Sequence, residues 1–512
     1  MTAITLLSRI LGYGRDMLIA WIFGTGLFTD AFIAAFRIPN VLRRLFGEGA
    51  LGMGFIPIYS ACLRREGPAA AHRLAASAVQ MMVVMLVPVV ILGAVGSPWV
   101  VRLIAPGYAV GSPVYALAVE LTRIMWPYVF FAGVVAMIAG VLNAQGHFAA
   151  PALAPVGLNL VLIFTLLTTA GLSMTTAIGI KALAVGVVVA GGVQLLIQLP
   201  ALKARRIALW HPVWPPHPEL GAVGRMAVPA ALGSASFQFN IVIGTLLASF
   251  LAPGSISSLF FADRLIQFPL GLFAVSASTA LLPGLSRLAA GADWPHFVAT
   301  FQKALRLVWF VTLPAMTGLV VLRMPIVQVL LERGAFGSNS TRLTSEAVLC
   351  YGTGLWAYAG LRIVQTAFYA LKDARTPLAV AAVGMAFNLV VGAGLMHPLG
   401  HKGIALAAAG AAATSLGLLL IALRRKIGNL GGKAITLAFI RAGCCSILMG
   451  IMVTALLHWL PIDPQAGLAV NGVRLLVCVT AGLAGYLALS WLTNSRELQM
   501  LYRFVRHRDL PP

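Results

Sequence analysis

The chain has 512 residues, of which 60% are hydrophobic and only 10% are charged, and its mean hydropathy is +0.93. This composition is typical of a polytopic membrane protein and excludes a sizeable soluble domain. Lysine and arginine number 36 against 14 aspartates and glutamates. In a membrane protein such an excess usually lies in cytoplasmic loops, so it does not indicate a nucleic-acid binder.

The first apolar segment, residues 5–24, is interrupted by Arg9 and Arg15 and lacks a small-residue cleavage site. It is therefore predicted to be a membrane helix and not a removable signal peptide. Arginine in the middle of a span is costly, which favours a position facing a water-filled cavity. The alternative for both residues is an intrahelical or headgroup role.

The second segment, residues 30–61, carries six polar groups within membrane-type sequence. Ionisable side chains at membrane depth usually face a cavity or one another and mark a substrate path. Pro39 is predicted to interrupt the helix, and a broken cationic helix is typical of a transport site for an anion. The alternative for Arg43 and Arg44 is snorkelling to the headgroups. The six groups are Asp30, Arg37, Asn40, Arg43, Arg44 and Glu48.

Apolar runs along the chain predict fourteen transmembrane spans and hence an all-α polytopic membrane protein. Cationic loops on one side are predicted to be cytoplasmic, which places both termini in the cytoplasm. Those loops contain Arg64, Arg65, Lys203, Arg205, Arg206, Lys372, Arg375, Arg424, Arg425 and Lys426. The spans are 5–24, 30–61, 72–103, 113–145, 151–171, 178–200, 222–250, 256–286, 298–322, 342–371, 377–397, 402–424, 436–459 and 471–494.

An internal repeat emerges when the chain is compared with itself at an offset of about 226 residues. Pro151 then falls on Pro377, and the span at 30–61 falls on the span at 256–286, where Asp263 and Arg264 again precede a proline. Two six-helix bundles with the substrate at their interface are predicted. The predicted division is 1–210 for the first bundle, 211–430 for the second, and 431–512 for two extra helices and a basic tail.

Four motifs carry a resemblance to a known family: SRILGYGRD, TDAFIAAFRIPNVLRRLFGEGALGMGFIPIY, APGY and FFADRLIQFPLGLF. Together they resemble the MurJ (MviN) family of bacterial lipid II flippases, which belongs to the multidrug/oligosaccharidyl-lipid/polysaccharide exporter superfamily. The resemblance covers essentially the entire chain. It implies two pseudo-symmetric six-helix lobes around a central cationic cavity, with two extra C-terminal helices that form a groove for the undecaprenyl tail. Simple packing is the alternative role for those two helices.

By this resemblance, the cavity residues that bind the diphosphate correspond to Arg9, Arg15, Arg43 and Arg264. Arginine suits this task because it offers several fixed donors to phosphate oxygens and never loses its charge. The polar groups Asp30, Arg37, Asn40, Arg44, Glu48 and Asp263 are predicted to support the cavity or its gates. No cofactor or metal is expected, and the five cysteines have no paired metal-ligand spacing, which favours a packing role.

One departure from the family concerns ion coupling. Gln267 stands where many relatives carry a glutamate, and no aspartate or glutamate occurs from Ala374 to Pro461. A sodium site in the second bundle, which would need carboxylate oxygens, is therefore not expected. The preferred hypothesis is alternating access assisted by the membrane potential, which drives an anionic headgroup outward.

The resemblance implies a non-enzymatic flippase of the bacterial inner membrane, whose partners are lipid II, the bilayer and, as a possibility left open, the cell-wall synthesis machinery. A flippase for another polyprenyl-diphosphate-linked oligosaccharide is the alternative. A drug exporter would use acids in its cavity, and an enzyme would need paired carboxylates or a nucleophile. A scaffold has no evident use for arginines at membrane depth.

Overall fold

The computed structural model describes residues 2–45, 54–205, 207, 209, 213–463 and 466–507, with the backbone alone at 2–3, 228–241, 501 and 503–507, and their regular secondary structure is helical. The helices of the first half are α1 (Thr2–Phe23), α2 (Leu27–Arg44), α3 (Ile56–Arg65), α4 (Pro68–Val95), α5 (Ser97–Ile104), α6 (Pro113–Met125), α7 (Tyr128–Ala144), α8 (Ala149–Gly171) and α9 (Thr176–Ala204). Those of the second half are α10 (Leu220–Ala248), α11 (Ser255–Pro269), α12 (Val275–Ala290), α13 (Trp294–Val321), α14 (Arg323–Leu331), α15 (Ser338–Gly352), α16 (Leu355–Ala370), α17 (Arg375–Leu399), α18 (His401–Ile427), α19 (Gly432–Trp459), α20 (Leu468–Leu492) and α21 (Arg496–His507).

Ten helical segments in the described part of the chain are long and apolar enough to cross a membrane, and the bent pair α15 and α16, at 45°, would make an eleventh. This confirms an all-helical, multi-pass membrane protein. Helices α1 and α2 fall outside this set because each carries more charge than an ordinary span. The count of fourteen spans stays a prediction.

The order of helices repeats along the chain. Helices α1 to α9 are followed by α10 to α18 in the same succession of long and short elements, and α19, α20 and α21 come after the second copy. Pro151 and Pro377 lie in the first turns of the corresponding helices α8 and α17. Corresponding pairs also pack in both copies, as α4 with α7 and α13 with α16. The order of elements thus agrees with the repeat seen in the sequence.

Backbone contacts separate the chain into two compact units: Met1–Ser257 with Arg333–Gly337, and Ser258–Glu332 with Ser338–Pro512. This boundary follows α10, which packs against α2, α4 and α5 in the first unit. The division at 210 and 430, which was drawn from the repeat, stays a prediction.

Each unit has its own apolar core. In the first unit, Phe55, Tyr59 and Leu74 pack among α3, α4, α7 and α9. In the second, Phe301 and Trp309 of α13 pack against α12, α16, α18 and α19. Helices α19 and α20 add a smaller cluster, in which the buried Tyr486 hydroxyl donates to the Phe310 carbonyl at 2.7 Å. Without water in the bilayer, such internal donors and acceptors have to satisfy one another.

Pro39 does not interrupt its helix, so that prediction is wrong. Helix α2 continues through Pro39 to Arg44. A membrane helix tolerates the loss of one backbone N–H when its neighbours satisfy the freed carbonyl. In the second copy, α11 ends at Pro269, and residues Leu270–Ala274 form a π-helical turn that leads directly into α12, so Ser255–Ala290 remains one span. Such turns are frequent at functional sites.

Candidate functional site

Positive charge is concentrated on α1 and α2 of the first unit. The described residues of these two apolar helices carry five arginines and two aspartates. In a surrounding of low dielectric constant this excess raises the local positive potential and attracts an anion. The charged residues are Arg9, Arg15, Asp16, Asp30, Arg37, Arg43 and Arg44.

Arg15 is held by a network that the sequence reasoning missed. Its Nε and Nη2 donate to Oδ1 of Asp16 at 2.9 and 2.7 Å, and its Nη1 donates to Oδ1 of Asn159 at 3.1 Å. Asn159 in turn donates from Nδ2 to the Ser8 carbonyl at 3.0 Å, which joins α8 to α1. Since a guanidinium has five N–H donors, two remain for a ligand. Asp16 directly follows Arg15 in the SRILGYGRD motif, and that was the available signal.

Tyr128 connects the cations of α1 and α2. It begins α7, is fully buried, and its ring contacts Phe36 with centroids 6.2 Å apart. Its hydroxyl has no hydrogen-bond partner among the described residues and lies within electrostatic range of both Arg43 and Arg15. The two predicted site residues therefore act electrostatically on the same buried hydroxyl group.

Arg43 keeps most of its donors. Its Nε and Nη2 donate to Oδ1 of Asn40, one turn earlier on α2, at 3.3 and 3.1 Å. Three N–H groups remain without a partner among the described residues, so Arg43 can present a planar fork to phosphate oxygens. Asn40 therefore orients Arg43, and its predicted role in supporting the cavity stays a prediction.

Two further cations lie on the same helix. Arg37 donates from Nε to the hydroxyl of Thr245 on α10 at 2.8 Å, and Thr245 is buried. Arg44 is partly buried at the end of α2. Both side chains are therefore partly shielded, and their predicted roles stay predictions.

Asp30 has a structural task in the first unit. The buried carboxylate accepts hydrogen bonds from the backbone amides of Gly254 and Ser257 at 2.6 and 2.7 Å. A carboxylate at this position satisfies donors that the first turn of α11 leaves unpaired, and it interacts favourably with the helix dipole. The Asp30 carboxylate therefore stabilises the N-terminus of α11.

The remaining predicted residues are distributed more widely. Arg9 is exposed, and no hydrogen bond or ion pair joins it to another described residue. Glu48 lies outside the described residues. In the second unit, the Arg264 guanidinium lies 4.8 Å from the ring centroid of Phe260, a cation–π contact. Next to it, Asp263 accepts a long 3.4 Å hydrogen bond from Gln267, the residue that departs from the family motif.

Comparison with known proteins identifies the family. The family model "Lipid II flippase MurJ" matches residues 19–463. The chain belongs to the MurJ family. Among the relatives, "Probable lipid II flippase MurJ" of Vibrio cholerae serotype O1 is 32% identical over 509 residues, which cover 97% of this chain and 95% of that protein. The resemblance found in the sequence motifs is thus confirmed.

Solved structures agree with this membership. A lipid II flippase MurJ in an inward closed conformation matches with a TM-score of 0.80 and 25% identity, and covers 98% of this chain and 99% of its own. An inward-facing multidrug transporter of the MATE family and MOP superfamily matches with a TM-score of 0.71 at 14% identity, over 83% of this chain and 96% of its own. At that identity the second likeness shows the fold alone.

Proposed function

We propose that this chain moves lipid II, the undecaprenyl diphosphate-linked peptidoglycan precursor, from the cytoplasmic to the outer leaflet of the bacterial cytoplasmic membrane. Membership of the MurJ family over most of the chain is the observation that carries this proposal. Alternating access of two bundles around a central site is the proposed mechanism, with both termini in the cytoplasm. The chain acts as a transporter and leaves its substrate chemically unchanged.

The arginines of the first unit support binding of a diphosphate. Arg43 has three N–H groups left for phosphate oxygens and Arg15 has two, since their other donors go to Asn40 and to the pair of Asp16 and Asn159. Hydrogen bonds between ionised partners are roughly twice as strong as neutral ones, and a bidentate fork adds orientation. An arriving dianion also relieves the repulsion between the cations. By family resemblance, Arg9 and Arg264 are proposed as further ligands.

The membrane potential can drive this movement because the cell interior is negative and the headgroup is anionic. Moving two negative charges outward across 100 mV releases about 4 to 5 kcal/mol, at roughly 2.3 kcal/mol per charge. The empty cationic site is drawn inward by the same field. We propose that this field, and not a coupled ion, supplies the direction of transport.

The experiment that tests the function uses vesicles that contain only this protein and labelled lipid II. The expected result is protein-dependent arrival of intact lipid II in the opposite leaflet, lost in an Arg43→Ala variant that inserts normally. A second labelled lipid, with an unrelated oligosaccharide on the same diphosphate carrier, serves as the specificity control. Equal transport of both lipids would support the broader alternative, a flippase for polyprenyl-diphosphate oligosaccharides in general. No transport of either would refute the proposal.

A further inference from the structure

Three side chains of metal-binding type meet in the first unit, away from the arginines. The Sγ atom of Cys62, a carboxylate oxygen of Glu66 and a ring nitrogen of His217 all lie within 4.8 Å of one another. Cys62 and His217 are buried and Glu66 is exposed, so the group is reachable from one side.

The local structure explains how these residues come together. Cys62 and Glu66 are one helical turn apart at the end of α3, where the Glu66 amide donates to the Cys62 carbonyl at 2.9 Å. Residues four apart on a helix lie on the same face. His217 belongs to the segment before α10, and its backbone amide donates to the Ser77 hydroxyl of α4 at 3.2 Å. This bond holds the His217 backbone against α4, and the imidazole lies beside the end of α3.

We propose that Cys62, Glu66 and His217 bind a divalent transition-metal ion of the zinc class. Thiolate, imidazole and carboxylate are the donors that zinc takes in proteins, and three protein ligands with one open position form a familiar set. Metal–ligand distances of about 2.0–2.3 Å place tetrahedral ligand atoms roughly 3.3–3.8 Å apart. Small side-chain rotations bring the three atoms into that range, and the exposed Glu66 is free to make them.

The electrostatics of the group favour a cation. The carboxylates of Glu66 and Glu219 both lie close enough to act on the Cys62 thiol. A bound divalent ion would balance the Glu66 carboxylate and the thiolate that forms when Cys62 releases its proton on metal binding. Arg64 and Arg65 also lie on α3, but both are exposed and their charges are screened by solvent and salt.

Binding has one local cost. Nδ1 of His217 accepts a hydrogen bond from the Glu219 amide at 3.3 Å, the long end of the range, and the ring has to give up this bond or change tautomer to bind metal. The gain is a link between the end of α3 and the segment that leads into α10. The backbone carbonyl of His217 belongs to that segment and accepts a hydrogen bond from the Leu220 amide at 3.0 Å. The ion would therefore act as a structural clip in the first unit.

Sequence reasoning missed this group because its third member is distant in the chain. Cysteine spacing alone gave no metal-ligand pattern, so Cys62 was expected to pack, and it does lie at the edge of an apolar core cluster. Only the fold brings His217 beside it.

The test uses the full-length protein in detergent, stripped with a chelator and then equilibrated with zinc. Zinc per chain is measured by mass spectrometry, and cobalt is substituted to detect thiolate ligation by its absorbance. The site variants are Cys62→Ser and Glu66→Gln; the second changes an exposed side chain and preserves the fold. Matched controls are Cys445→Ser, which changes another buried cysteine, and Glu120→Gln, which changes another exposed acid.

The expected result is about one zinc ion per chain in the wild type and both controls, with at least about tenfold weaker binding in both site variants. Zinc should also raise the unfolding temperature of the wild type and leave that of the site variants unchanged. Any of three results would overturn the proposal. They are zinc at background level in the wild type, equal zinc binding by the wild type and either site variant, and a cobalt form without thiolate absorbance. Transport of lipid II is not the readout, so the proposed function is tested separately.

Discussion

Arg15 on α1 donates to the carboxamide oxygen of Asn159 on α8 at 3.1 Å, and so a residue predicted to bind substrate also joins two helices. Arg43 differs, because among the described residues its hydrogen bonds go only to Asn40, on its own helix. We therefore expect Arg15 to contribute to structure as well as to the proposed binding of substrate, and Arg43 to contribute mainly to that proposed binding.

This difference predicts distinct phenotypes for the two alanine variants. Arg43→Ala should abolish complementation of a flippase-depleted cell without lowering the unfolding temperature. Arg15→Ala should lose function and also stability, because hydrogen bonds to charged groups contribute about 1.5–3 kcal/mol and the buried Asp16 would lose those from Arg15. Thermal unfolding in detergent, measured beside complementation, separates the two effects. Arg65→Ala, on the exposed end of α3, is the control.

Conservative variants sharpen this prediction. Arg43→Lys should restore transport only in part, since an ammonium lacks the planar fork that engages two phosphate oxygens. Full activity in Arg43→Ala, or equal unfolding temperatures for Arg15→Ala and Arg43→Ala, would contradict the separation of roles.

Asp30 should be required for stability, because its carboxylate accepts hydrogen bonds from two backbone amides. Asp30→Ala leaves the buried amides of Gly254 and Ser257 without their acceptor, and an unsatisfied buried donor costs about 1–3 kcal/mol. A fall in unfolding temperature is expected, with a smaller fall in Asp30→Asn, whose amide keeps one oxygen acceptor. The exposed Glu120, whose ion pair with Lys181 is open to solvent, provides the control variant Glu120→Ala. An Asp30→Ala protein as stable as the wild type would show that the cap is dispensable.

The sequence predicted much of this architecture, and the reasons for its failures are specific. Apolar runs identify helices because a membrane leaves few other solutions for the backbone, and cationic positions within them stand out against that background. The partners of those cations could not be found in the same way. Asn159 and Thr245 meet Arg15 and Arg37 only after folding, and neither distance along the chain nor residue type indicates such pairing. Pro39 was misread because local helix-breaking preference is overridden by neighbouring helices.

A surface pair in the second unit predicts a dependence on pH. Lys426 donates to the Asp373 carboxylate at 2.8 Å, and this bond, with those from Thr376, lowers the pKa of Asp373 from 3.8 to about 2. A lowered folded-state pKa stabilises the protein above the unfolded value near 3.8, and this contribution disappears as the pH falls towards 2. The difference in unfolding temperature between the wild type and Asp373→Asn should therefore be largest near neutral pH and shrink below about pH 4. A difference that does not change with pH would contradict the ion pair.

The predicted orientation is testable with single cysteines. The five natural cysteines are first replaced, since Cys444 is exposed and would react. Cysteines placed beside Arg65, Arg205 and Arg425 should be shielded from an impermeant thiol reagent outside the cell, and one beside Gly171 should react. Permeabilised cells provide the control, in which all four sites should be labelled. The opposite pattern in intact cells would reverse the topology.

The driving force of transport is tested by varying the sodium ion and the membrane potential independently. If no cation site operates in the stretch from Ala374 to Pro461, which contains no aspartate or glutamate, replacing sodium by potassium should leave transport unchanged, while collapsing the membrane potential should slow it strongly. Both half-cycles would lose their bias together, because the field acts on the outward dianion and on the return of the cationic site. Asn388 on α17 is buried, and its replacement by alanine should then affect packing more than ion dependence. A sodium requirement that persists at zero potential and disappears in Asn388→Ala would contradict this prediction. It would show that the neutral amide oxygen of Asn388 is enough to couple sodium to transport, because that oxygen is the group removed in the variant.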